Sequence, residues 1–244
     1  ENTVGKVVAF ADKIDTICGI FAVGQAPTGS SDPFALRRAA LGCISILQSG
    51  LNVSLSRAIS FELDQLDFLS FDRAQVESDV RAFFSMRLTV IARDAGNDAK
   101  VVAAVLSTGH VQPDDVLARC ASLSRARDEE PELFEDLATA YKRANNLRDP
   151  QLGSELDVKL LGGQEVALLD ALGQAEQGVA EALEADDYDR ALADLAKLRG
   201  PIDTFFTDVM IMDEDRSVRE NRLRLLNRFV DVFGDVADFE KLNG

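Results

Sequence analysis

Apolar residues return at helical spacing along nearly the whole chain, while β-branched runs stay short. On a first helix from about Val4 to about Val23, Val7, Val8, Ala11, Ile14, Cys18 and Phe21 share one side. A loop of glycine, proline and serine follows from Gly24 to Asp32. Asp32 with Pro33 reads as the start of a second helix. The carboxylate caps free N–H groups, and proline loses nothing at the first helical position. That helix carries Phe34, Leu41, Ile44 and Leu47, and Gly50 stops it. Further helices are expected at about Ser54–Leu66, Asp72–Asp94 and Lys100–Leu106, and another begins at Gln112–Asp114. Beyond the polar stretch Arg125–Glu130, which with Pro131 reads as a domain boundary, five more follow. They cover about Glu132–Arg148, Glu165–Ala185, Tyr188–Leu198, Ile202–Met212 and Arg216–Phe233. The fold class is all-α, and no repeat of fixed period suggests a solenoid.

Composition narrows the chemistry. The 244 residues carry 26 Lys and Arg against 42 Asp and Glu, a net charge of −16, and 46% are hydrophobic. The chain can therefore bury a core, but its charge opposes indiscriminate wrapping of nucleic acid and leaves room only for a local basic stripe. A single histidine, His110, excludes any metal site or relay that needs two. With no Trp and two Tyr, a wall of stacked aromatics for single strands is not expected. Cys18, Cys43 and Cys120 lie far apart and odd in number, which suits a reducing cytosol better than a disulfide framework. No membrane span and no secretory signal are expected.

Four features carry candidate chemistry. GQAPTGS, from Gly24 to Ser30, has two glycines of a phosphate loop, but Ser30 stands where that loop needs lysine and no strand precedes it; a plain helix–helix loop accounts for it. Asp12 and Asp15 sit one turn apart, too few ligands for a hard cation. On the helix from Glu132, the apolar stripe Phe134, Leu137, Tyr141 and Ala144 continues into Asn145 and Arg148, leaving Lys142, Arg143 and Asn146 facing away. Arg and Asn are the residue types that bond phosphates and base edges, although cations at a helix end also complement its dipole. On the last helix Arg222 falls on the apolar face with Val218, Leu225, Leu226 and Phe229, so it is expected to be buried and paired with an acid of Asp213–Asp215. Arg224 and Arg228 are expected to point outward, and Arg219 and Arg228 are the better surface candidates.

Taken together, ADKIDTICGIFAVGQAPTGSSDPFALRRAALG (residues 11–42), AVL at Ala104–Leu106, LATAYKRANNL, and the segment from Phe205 to Leu242 resemble the C-terminal part of the bacterial glycyl-tRNA synthetase β-subunit. The resemblance implies residues 1–51 as the end of a helical His-Asp-type domain, 52–130 as a helical connector and 131–244 as a helical anticodon-binding domain. It sets Asp12 at the final aspartate of the His-Asp motif, whose histidines would lie upstream, so no metal is expected here. It also implies tRNA(Gly) and the synthetase α-subunit as partners in a heterotetramer, and neither membrane nor DNA. The α-subunit would use ATP and Mg; this chain would hold no cofactor and no catalytic residue. By chemistry and exposure the RNA-contacting candidates are Lys142, Arg143, Asn146, Arg219 and Arg228. The competing expectation is an α-helical protein-interaction scaffold.

Overall fold

The computed structural model describes residues 2–242. Among these the regular structure is helical: eleven α-helices, three short 3-10 turns and one isolated bridge, Thr28–Ser31. The helices are α1 (Thr3–Ala22), α2 (Leu36–Gln48), α3 (Leu55–Gln65), α4 (Arg73–Asp94), α5 (Ala99–Leu106), α6 (Pro113–Glu129), α7 (Pro131–Leu147), α8 (Gly163–Glu184), α9 (Tyr188–Ala196), α10 (Arg199–Asp208) and α11 (Arg216–Gly234). No described helix is long and apolar enough to cross a membrane.

Two compact units result. The first comprises Glu1–Gly96 and Gly109–Leu117, the second Asn97–Thr108 and Ala118–Gly244. Residues 52–130 are thus shared between them, and the stretch from Arg125 is helical up to Glu129.

In the first unit α2, α3 and α4 pack on α1. The buried side of α1 is Phe10, Ile14, Ile17, Cys18 and Phe21, whereas Val7 and Val8 are exposed. Phe10, Ile14, Ile17 and Phe21 form a tighter i, i+3, i+4 stripe than one drawn through the valines. The start of α2 also differs from the expectation at Pro33. Residues 32–35 form a turn closed by the Ala35 N–H on the Asp32 carbonyl, and Ala35 is left-handed at φ 55°. Asp32 still caps the helix, but from across that turn, accepting from the amides of Leu36 (2.8 Å) and Arg37 (3.0 Å). Phe34 consequently lies before the helix and stays exposed.

The second unit wraps α7, α8 and the 149–162 segment around α11, which buries Asn221, Leu223, Leu225, Leu226, Asn227, Phe229, Val230, Val232 and Phe233. Positions so closely spaced cover most of the helix circumference, so α11 is an axis of the bundle and not a surface helix. α8 and α9 form an antiparallel hairpin whose close approach uses Gly178: a Cβ there would overlap the Asp194 carboxylate. Arg119, buried on α6, closes the far end of α11 by donating to the carbonyls of Asp235 (2.7 Å) and Val236 (3.1 Å).

Candidate nucleic-acid interface

α7 sets the orientation of the candidate residues. Pro131 occupies its first turn, and Phe134, Leu137, Ala138, Tyr141 and Ala144 are buried. Phe134 packs on Phe239 at 5.9 Å between ring centres, and Tyr141 on Phe233 at 5.6 Å and on Phe239 at 5.9 Å. Burial pushes the Tyr141 phenol up to about 12, so it stays neutral. With that face locked, Lys142 and Asn146 share the opposite face one turn apart, both exposed. Neither has an ion pair or a side-chain hydrogen bond among the described residues. Arg143 is also exposed but turns toward α10, where its guanidinium lies 4.1 Å from the centre of the Phe206 ring. A cation stacked on a ring keeps its in-plane donors free for a phosphate. The neighbouring Asn145 and Arg148 are structural: Asn145 donates to Glu240 at 3.1 Å, and Arg148 to Asn145 at 2.9 Å and Asp231 at 3.1 Å.

The arginines of α11 are mostly engaged. Arg216 pairs with Glu220 at 2.7 Å. Arg219 is half-buried and donates from Nη1 to the Asp213 carbonyl at 2.7 Å. Arg222 is half-buried, not fully buried as expected, and is paired as expected with Asp213, at 2.7 Å, and also with the buried Glu165 of α8, at 2.5 Å. Arg224 and Arg228 do not point freely outward; both are half-buried. Arg224 donates to the Leu152 carbonyl at 3.3 Å, and Arg228 makes a two-point pair with Glu176, 2.5 Å at each contact. The reason is that α8 and the 149–162 segment cover the side of α11 that a helix projection leaves open. Arg228 is therefore a member of a neutral pair, and RNA contact there requires the pair to open.

Two residues that the sequence reading missed shape this surface. Asn227 donates to the carbonyls of Asp149 (2.8 Å) and Gly153 (2.6 Å). Asn221 accepts from the Asp157 amide (2.9 Å) and donates to the Asp157 carbonyl (3.1 Å). Both are almost fully buried, and they strap the segment that follows α7 onto α11. Asparagine at two core positions of an otherwise apolar face was the available signal, since a buried amide must find partners.

The first unit holds the other candidates. Asp12 and Asp15 are exposed, and no group of three potential metal ligands occurs among the described residues. GQAPTGS forms a loop between α1 and α2 with Gly24 at φ 72° and Gly29 at φ 48°. Cys18 and Cys43, and Cys120 in the second unit, are buried, and no disulfide joins them. Burial, reinforced for Cys18 by Glu62 and Asp15, pushes the Cys18 and Cys43 thiols up to about 12.

Residues 1–107 match the family model of the glycyl-tRNA synthetase beta subunit, and residues 116–238 that of the DALR anticodon binding domain. The glycine–tRNA ligase beta subunit of Geobacter metallireducens is 41% identical over 244 residues, covering 99% of this chain and 35% of that protein. Its counterpart in Desulforamulus reducens is 38% identical over 247 residues, again with 99% and 35% covered. That of Vibrio cholerae serotype O1 is 41% identical over 251 residues, with 98% and 35% covered. The chain spans about a third of the length of these relatives.

Proposed function

The chain belongs to the glycyl-tRNA synthetase β-subunit family, and from that premise we propose that it recognises tRNA(Gly), through the anticodon, on behalf of a glycine–tRNA ligase in the cytoplasm. Residues 131–244 are the anticodon-binding part, 1–51 the end of a His-Asp-type domain and 52–130 the connecting helices. Lys142 and Arg143 hold phosphates, and Asn146 reads a base edge. Single-stranded anticodon bases suit such reading because they can splay out and offer their edges. Arg219 keeps free donor edges beside its one carbonyl contact and extends the surface; Arg228 contributes through its pair with Glu176. The α-subunit, in a heterotetramer, performs aminoacylation with ATP and Mg. This chain has no reaction centre of its own, so glycine-dependent pyrophosphate exchange on it stays at background.

One observation supports the reading most. In a chain with 42 acids against 26 bases, the exposed cations at the end of α7 have no carboxylate partner among the described residues. Cations left uncompensated on an acidic protein confine a polyanion to one place. The test is tRNA(Gly) binding by the complete α/β enzyme across a salt series. Lys142→Ala and Arg143→Ala should weaken binding and each reduce the salt slope by roughly 0.7–0.9, whereas Asn146→Ala should erode preference over another tRNA by about 1–3 kcal/mol. Unchanged affinity, slope and preference in all three variants refute the assignment of this helix end.

The scaffold reading has one observation in its favour. A cleft of about 360 Å³ lies between α6, α7 and α9, floored by Leu133, Phe134, Leu137, Leu192 and Leu195 and edged by Glu129, Glu130 and Asp189. If tRNA fails to bind at all, that cleft becomes the leading functional surface.

A further inference from the structure

The geometry points to a phosphate-binding site in the first unit, built from the guanidiniums of Arg37 and Arg87 and the tip of the Thr28–Ser31 turn. Each part is held in place by contacts that leave anion-binding donors open. The turn is closed in both directions, by the Thr28 N–H on the Ser31 carbonyl (3.2 Å) and the Ser31 N–H on the Thr28 carbonyl (2.8 Å). Gly29 takes φ 48° at its tip, and the exposed amides of Gly29 and Ser30 have no acceptor among the described residues. Arg37 is tied to that tip, its Nη2 donating to the Gly29 carbonyl at 2.6 Å. Arg87 lies 3.5 Å from the centre of the Phe83 ring, and its Nη1 donates to the Phe83 carbonyl at 2.5 Å. Phe83 in turn packs edge-on against Phe21, 5.2 Å away in the last turn of α1, from which the glycine loop departs.

The electrostatics agree with this geometry. Burial and then the Arg37 charge pull the Arg87 guanidinium below its ordinary pKa, so the two cations sense one another. Neither forms an ion pair among the described residues, whereas Arg73 and Arg81 nearby in sequence bind Asp64 and Glu77. The one carboxylate acting on both, Asp32, is already occupied as the cap of α2. Two half-buried guanidiniums that share only the Asp32 carboxylate, one of them tied to a turn tip whose amides lack an acceptor among the described residues, match a tetrahedral dianion. The missing P-loop lysine is no objection, because the site holds a phosphate without activating it. The phosphate comes either from an RNA backbone, which rests on the function proposed above, or from a free phosphate.

The experiment separates these sources. Inorganic phosphate is titrated into the full chain at constant ionic strength set with chloride, while the Gly29 and Ser30 amide resonances are followed. In parallel, tRNA(Gly) binding is measured across a salt series. The variants are Arg37→Gln with Arg87→Gln; Ser30→Asp, which places a negative charge on an exposed tip and does not depend on core packing; and Arg93→Gln on α4 as a charge control. We expect saturable amide shifts that the double variant abolishes. For tRNA we expect a loss of roughly 10-fold in the double variant, with the salt slope lowered by about 1.5 for two phosphate contacts. Ser30→Asp should weaken both ligands, and Arg93→Gln should do much less. If tRNA binds and the α7 variants weaken it, while the double variant and Ser30→Asp behave like Arg93→Gln and phosphate shifts neither amide, this site is overturned and the α7 assignment stands. If tRNA does not bind, the function proposed above fails, and phosphate decides alone: shifts abolished in the double variant uphold the site for free phosphate, and no shifts overturn it.

Discussion

Replacing Arg222 with alanine strands a buried carboxylate. The Arg222 side chain is 15% exposed and that of Glu165 5%. Nε donates to Glu165 at 2.5 Å, and Nη1 to Asp213 at 2.7 Å and to the Met210 carbonyl at 2.8 Å. Breaking a buried pair from one side costs about 3–5 kcal/mol, because the remaining charge has lost its partner and cannot reach water. Two features bring the expectation to the lower end, about 3 kcal/mol. Glu165 keeps the Gly162 amide as a donor, and Asp213, at 34% exposure, is rehydrated when the guanidinium goes. The double variant Arg222→Met with Glu165→Met removes both charges of the pair and should recover at least about 1 kcal/mol of the loss. Urea unfolding followed by tyrosine emission is the assay. The chain has no Trp, and both tyrosines, Tyr141 and Tyr188, lie in the second unit, so the signal reports the bundle that contains the pair. A loss below about 1 kcal/mol in Arg222→Ala refutes the burial argument, since that is the range of a solvated surface pair. A double variant less stable than Arg222→Ala shows that packing of the side chains, and not charge pairing, sets the effect.

Gly178→Ala should destabilise the second unit by about 1–3 kcal/mol despite the helix propensity of alanine, because the new methyl overlaps the buried Asp194 carboxylate. Adding Asp194→Ala should restore stability in the same melts, and a gain in the single variant contradicts the close approach of α8 and α9. Cys18, Cys43 and Cys120 should resist a thiol reagent at pH 8 in the native chain and all react in urea; fast labelling of Cys18 or Cys43 contradicts their burial and their thiol pKa of about 12. Asp32 should contribute stability that is present at neutral pH and fades as pH falls below its ordinary value of 3.8. Its folded pKa is depressed: burial opposes the charge, but the amides of Arg37 and Leu36 outweigh it. Asp32→Ala should therefore lower the midpoint of thermal unfolding at pH 7 and make little difference near pH 2, and an equal difference at both refutes the linkage.

The helices were legible from local physics. The expected Val4–Val23 is Thr3–Ala22, and the expected Arg216–Phe233 is Arg216–Gly234. Apolar period and cap chemistry act within a few residues, so one chain segment contains the information. The exposure of Lys142 and Asn146 was legible for the same reason, as the side of α7 opposite its apolar stripe. So was the pairing of Arg222 with Asp213, nine positions away. What a helix projection cannot contain is the identity of the neighbours. Glu165 and Glu176 of α8 reach Arg222 and Arg228 from 57 and 52 positions away, and turn two expected features of one helix into ion pairs between helices. The 149–162 segment is tied onto α11 by Asn221, Asn227 and Arg224, which bond its backbone, and this helps make that helix an axis of its bundle. Residues 97–108 likewise join 118–244, with the Ala104 carbonyl accepting from the Asp238 amide at 3.0 Å. Periodicity specifies which stripe of a helix must be covered; which distant groups cover it is decided only when long-range packing brings them into contact and most buried polar groups take a partner within reach.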